Sequence, residues 1–172
     1  GGHNGRDETT TLTLIPMVKE KINIPLIAAG GIATGKGMLA TMVLGADGVQ
    51  IGSRFVASTE SSAHQAFKQV VVDAEEGATQ LTLKELAPVR LIKNKFYNEI
   101  QELYKTAPTV EQLKKLLGRA RAKRGMFEGD LDDGELEIGQ IAGLIHSVKP
   151  VAEIVVEIIA EFEGAKKEMA QF

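Results

Sequence analysis

Three stretches of this chain carry residue types able to do chemistry. The first is Gly1-Gly2-His3-Asn4-Gly5, an imidazole set among glycines. A histidine on such a loop can hydrogen-bond a substrate or exchange a proton near neutral pH, although a lone histidine is more often structural. The other two are glycine turns. The apolar run Ile24-Pro25-Leu26-Ile27-Ala28-Ala29 empties into Gly30-Gly31-Ile32-Ala33-Thr34-Gly35, and Gly48-Val49-Gln50-Ile51 empties into Gly52-Ser53-Arg54-Phe55. Glycine lets a backbone turn sharply and come close to a ligand. N–H groups exposed there, ahead of a helix, attract an anion. Two such turns in consecutive units, the second followed by a hydroxyl, point to one phosphate held between them.

The elements that must position these residues follow from pattern. The two apolar runs are short, β-branched and free of polar alternation, as parallel strands covered by helices read. Between them Thr34 is placed to cap a helix through Met38, Leu39, Met42 and Val43, which Gly45 ends. Strand, helix and strand within ~30 residues form a βαβ unit. Upstream, the periodic segment Leu12 to Ile22 predicts a helix beginning near Thr13, so that Pro16 falls in its first turn. Downstream, Ser62 and Gln65 stand at capping-box spacing before a helix through Phe67 and Val71, closed by Gly77. From Ala78 the periodicity is mostly helical, with no further convincing buried strand. Pro108-Thr109 opens an amphipathic helix, and Val151 to Phe162 forms a terminal one.

Several other side chains invite a functional and a plain reading. Arg54 either pairs with phosphate or forms a surface salt bridge, the second being favoured. Gln140, after Gly139, either approaches a ligand or marks a close helix contact. The basic run Lys114, Lys115, Arg119, Arg121, Lys123 and Arg124 reads best as a solvated helix face. His64 suits a helix start and His146 a helix C-terminus. The stretch Asp130-Leu131-Asp132-Asp133-Gly134-Glu135 lacks the third acidic ligand and the closing glutamate of a calcium loop, so no metal is expected.

Composition sets outer bounds. A chain of 172 residues with a formal charge of −3 gives no reason to expect nucleic acid or an anionic membrane as partner. It has no cysteine, hence no disulfide and no thiolate nucleophile. No apolar run reaches the ~18 residues needed to span a bilayer, and the amino end lacks a signal peptide's basic and apolar regions. A cytoplasmic location is the default expectation. The chain opens inside what reads as a strand-end loop, without an initiator methionine, as a piece of a longer protein would.

Taken together, Gly1-Gly2-His3-Asn4-Gly5, Ala28-Ala29-Gly30-Gly31-Ile32, Leu44-Gly45-Ala46-Asp47-Gly48-Val49-Gln50-Ile51-Gly52-Ser53-Arg54-Phe55 and Gly139-Gln140-Ile141-Ala142-Gly143 resemble the nitronate monooxygenase (2-nitropropane dioxygenase) family. That family includes the flavin-type enoyl-acyl-carrier-protein reductases. The likeness spans nearly the whole chain with order and spacing intact. It implies an α/β fold: the carboxyl-terminal part of a (β/α)8 TIM barrel followed by a helical region. Residues 1–77 would run from the loop after strand six to helix eight, and residues 78–172 would form a mostly helical region packing on the barrel. It further implies FMN as cofactor, with Gly30, Gly31, Gly52 and Ser53 on its phosphate, Gln50 close to the flavin, Gly2 among the cofactor-binding residues, and His3 catalytic at the substrate site. Relatives often carry threonine where this chain has Ser53, so the hydroxyl is kept. Phosphate after strands seven and eight agrees with the general barrel rule.

The implied activity is FMN-dependent oxidation of alkyl nitronates with O2. The alternative is an enoyl reductase drawing on NAD(P)H, which shares every motif visible here. An inosine-monophosphate dehydrogenase type of barrel would need a catalytic cysteine that this sequence lacks. A third reading is a folding module without flavin. A TIM barrel needs eight strands in ~250 residues, and two are legible. The expected partners are therefore a small-molecule nitronate or enoyl thioester, the amino-terminal half of the same protein, without which the fragment would be inactive, and a second copy of the chain.

Overall fold

The computed structural model describes residues 1–2 and 9–171. Helix α1 (Thr11–Lys19) leads into strand β1 (Ile27–Ala29), helix α2 (Gly35–Val43) and strand β2 (Gly48–Gln50). The two strands pair in parallel, with Ile27 opposite Gly48, Ala28 opposite Val49 and Ala29 opposite Gln50. Thr34 caps α2 by accepting the Gly37 N–H, and Gly45, at φ +109°, follows the last helical turn. Buried Ala28, Ile32, Ala46 and Ile15 pack with half-buried Val49 under the helices. Because side chains alternate along a strand, Ile27, Ala29 and Gln50 share the opposite face, and all three are exposed.

A one-turn helix α3 (Ser53–Val56) follows β2, then α4 (Gln65–Val72). The antiparallel hairpin β3 (Thr79–Thr82) and β4 (Val89–Ile92) is a feature the sequence pattern did not predict. Its strands are four residues long and separated by six, too short for a clear alternation, and Arg90 interrupts the apolar run. A third segment lines the free edge of β4: Ile138 donates its N–H to the Arg90 carbonyl, and Ile92 donates to that of Leu136. Helices α5 (Lys95–Tyr104), α6 (Val110–Leu117) and α7 (Val151–Met169) complete the chain. Asn94 caps α5, and Thr109 with Gln112 forms a full capping box on α6. Among the described residues no helix is long and apolar enough to cross a membrane.

Several local expectations change. Helix α1 begins at Thr11, so Pro16 lies beyond its first turn; the N–H it lacks leaves the rest of the ladder intact, and Glu20 still donates to the Pro16 carbonyl. Helix α4 is capped by His64, whose Nδ1 accepts the Ala66 N–H, and not by Ser62. His146 follows a short 3-10 turn (Gln140–Leu144) and ends no α-helix. Arg54 is 8% exposed and makes no salt bridge among the described residues; its Nη1 donates to the carbonyls of Ser147 and Ala57. Arg121 of the basic run lies against the Phe96 ring and donates to two backbone carbonyls, whereas Lys114 and Lys115 stay in solvent. The Asp130 carboxylate is engaged by Arg124 and the Asp133 N–H.

Candidate functional site

In-register pairing of β1 with β2 puts both glycine turns at the same end of adjacent strands. The chain leaves β1 through Gly30 at φ +96° and Gly31 at φ +72°, a conformation in which any Cβ would be strained. It leaves β2 through Ile51 to Gly52, which opens α3. A side chain added at Gly52 would meet nothing within 4 Å, so this backbone faces open space. The N–H groups of Ser53 and Arg54 start a helix and have no acceptor inside it.

Two further segments close around these turns. Gly2 gives its carbonyl to the Arg90 N–H at 2.8 Å, which fastens the amino end to β4. A Cβ on Gly2 would touch the backbone of Ile138 and Gly139 at 3.4 and 3.5 Å, and one on Gly30 would come within 3.2 Å of Gly1. Gly139 lies against Ser53: its N–H donates to Ser53 Oγ at 3.0 Å, and an added Cβ would stand 2.7 Å from that oxygen. The bond occupies one lone pair of the serine and leaves its proton available to an acceptor. Gly2, Gly30, Ser53 and Gly139 thus interlock although they come from four separate parts of the sequence.

Gly31 follows Gly30 in the same turn, beside Thr11, whose hydroxyl donates to the Gly30 carbonyl at 3.0 Å. Gln50 ends β2 on the open face of the sheet. His3 lies outside the described residues. Gln140 is exposed, and Gly139 beside it is the residue that makes the contact. Sequence reasoning passed over Thr11, read there only as a polar residue ahead of a helix, and Arg90, whose Nε is buried without a hydrogen-bond partner. A charged residue inside an apolar stretch was the available signal for Arg90; Thr11 offered none.

A cleft of about 370 Å³ opens elsewhere, between the start of α2, α3 and α7. Its lining holds Arg54 and Lys149 with Glu157 and Glu161. Those charges offset one another, and the Glu161 carboxylate is taken by the Gly35 N–H. The strand-end turns, with open backbone at Gly52 and a hydroxyl proton that no described residue accepts, are the better place for an anion.

Comparison with known proteins agrees with this geometry. The family model for nitronate monooxygenase matches residues 1–161. A probable nitronate monooxygenase of Staphylococcus saprophyticus is 38% identical over 138 residues, covering 73% of this chain and 39% of the relative. Among solved structures, FabK from Thermotoga maritima superposes with a TM-score of 0.91 at 41% identity, covering 99% of this chain and 54% of that one. Nitroalkane oxidase from Streptomyces ansochromogenes superposes at 0.76 with 31% identity, covering 98% and 50%. The chain therefore spans about half the length of the solved relatives and less of the curated one. With the motifs, the α/β fold and the family match in agreement, this chain belongs to the nitronate monooxygenase family.

Proposed function

We propose that this chain carries the phosphate-holding end of an FMN-dependent oxidoreductase, a nitronate monooxygenase acting on alkyl nitronates with O2. The observation that carries the reading is the meeting of two strand-end turns, Gly30-Gly31 and Gly52-Ser53, at one end of a parallel pair, with a serine hydroxyl whose proton has no acceptor among the described residues. The residues present fit a phosphate monoester: positive-φ glycines, open space at Gly52, helix-start N–H groups and a hydroxyl donor. The chemistry that bound FMN supplies is the one-electron oxidation of the nitronate, with O2 consumed and a carbonyl compound and nitrite released.

The chain's own residues bind and orient. Ser53 Oγ and the N–H groups at Gly31 and Ser53 neutralise the phosphate. Gln50, on the open face of the sheet, would be the side chain to meet the flavin. His3 orients the nitronate, or takes the α-proton of the neutral nitroalkane from which the nitronate forms. The exposed face at Ile27, Ala29 and Gln50, and the sheet edges left without a strand among the described residues, are surfaces a barrel would cover. Residues outside this chain complete that barrel.

A second reading is an enoyl reductase fed by NAD(P)H. FabK stands for the enoyl reductases of this family, and the higher TM-score and identity with it than with nitroalkane oxidase favour this reading. Anaerobic mixing of the full-length protein with NADPH separates the two. Rapid bleaching of the flavin absorbance supports the reductase. Inertness to NADPH, with nitrite release from a nitronate in air, supports the monooxygenase. A full-length protein that takes up no FMN would overturn both.

A further inference from the structure

We propose that Thr11 is a positioning residue for the phosphate site: its hydroxyl fixes the direction in which the Gly30–Gly31 peptide presents its N–H. The inference rests on the phosphate reading above and goes beyond it by naming what orients a donor. A peptide with positive-φ glycine on both sides is torsionally soft, because neither residue has a Cβ to hold one well. Such a peptide can rotate as a unit about the two flanking torsions, turning its N–H away from any ligand.

One contact opposes that rotation. Thr11 Oγ1 donates to the Gly30 carbonyl at 3.0 Å, and an added Cβ on Gly31 would lie 3.8 Å from the same oxygen. In a planar trans peptide the C=O and N–H point in opposite directions. Holding the Gly30 oxygen towards α1 therefore turns the Gly31 N–H away from α1, towards the strand-end space. Thr11 is itself held in place: it is the first residue of α1, and Ile15, one turn on, is buried at 5% exposure in the cluster under β1. Helix α1 thus serves as a rigid mount from which one hydroxyl reaches the turn.

The test compares FMN with riboflavin, which lacks the phosphate, by fluorescence titration of the flavin-stripped full-length protein. Thr11→Val keeps the side chain's shape and removes the donor; Thr11→Ser keeps the donor. The expected result is a preference for FMN over riboflavin reduced about tenfold in Thr11→Val, with riboflavin affinity unchanged and Thr11→Ser close to wild type. Should Thr11→Val fail to fold, Thr11→Ala removes the same donor without added bulk. An unchanged FMN-to-riboflavin ratio in the donorless variant, or equal loss for both flavins, would leave Thr11 a structural staple and overturn the inference. If wild type itself fails to prefer FMN, the phosphate reading falls first, and this inference with it.

Discussion

Gly139→Ala isolates the contact between the carboxyl-terminal region and the site. Its backbone, at φ −70° and ψ 154°, suits alanine as well as glycine, so the variant reads the side-chain contact and not backbone strain. The new Cβ would stand 2.7 Å from Ser53 Oγ, too close for a non-bonded pair. The hydroxyl has to rotate away, breaking the 3.0 Å bond from the Gly139 N–H and withdrawing the donor proposed for the phosphate. A hydrogen bond to a charged group contributes about 1.5–3 kcal/mol, which is a loss of roughly 10- to 100-fold in FMN affinity. Ser53→Ala should cost a similar amount. The double variant should cost no more than either single one, because both act through one hydroxyl. Riboflavin affinity should stay level throughout. The assay is flavin fluorescence quenching in the full-length protein, with each variant's thermal midpoint measured alongside. Additive losses in the double variant would refute the claim that Gly139 acts through Ser53, and an unaltered Ser53→Ala would remove Ser53 from the phosphate site.

Two further variants probe the scaffold. Burial, with neighbouring Glu137 adding and Arg121 opposing, pushes the Glu135 carboxyl up to about 7 from its ordinary 4.5; the unfolded chain then gives up its proton first, so stability is full below about pH 4.5 and falls as pH rises to about 7. At about 1.36 kcal/mol per pH unit the fall is roughly 3 kcal/mol, and Glu135→Gln should flatten it in urea unfolding at pH 5 and pH 8; equal slopes in variant and wild type would refute this. Between α2 and α7, a Cβ at Gly35 would overlap the backbone of Ile158 and Phe162. Gly35→Ala should therefore part α2 from α7 at a cost of about 3 kcal/mol in thermal unfolding, the upper range for overpacking; an unchanged midpoint would show that the two helices can slide apart freely.

The sequence made the βαβ unit and its turns readable because each rests on a local rule. Thr34 caps the helix it precedes, Gly45 ends it at positive φ, and Thr109 opens α6 with a full capping box. What escaped were elements held by distant partners. The β3–β4 hairpin has little alternation of its own; it is a sheet because Ile138 and Leu136 complete the edge of β4. Arg54 looks like a surface cation in sequence, yet its guanidinium is buried against carbonyls as far away as Ser147. The cap of α4 is a local case: His64 stands at the helix start as its position suggested, and its imidazole nitrogen takes the Ala66 N–H in place of the Ser62 hydroxyl. At the site, glycine spacing revealed the turns themselves. Of their supports, Thr11 carried no signal, and Gly139 stood in a motif of the family resemblance whose contact with Ser53 spacing alone did not reveal.

That division bears on how the site is held together. Strand-end glycines make room for a ligand but cannot hold their own shape, since what admits the ligand also frees the backbone. The shape has to come from outside the turns, and three outside contacts supply it. Helix α1 reaches the Gly30 carbonyl through Thr11, the segment after Ile138 reaches Ser53 through the Gly139 N–H, and β4 reaches Gly2 through the Arg90 N–H. Two of these three come from beyond residue 78, the region whose periodicity suggested a mostly helical layer packed on a barrel. It is better understood as part of the site's frame: Ile138 is bonded to Arg90 on one side and adjoins Gly139 on the other, so β4, Gly2 and Ser53 are linked through one short segment. A substitution that loosens the hairpin should therefore weaken flavin binding as well as stability, even though no hairpin side chain need touch the flavin.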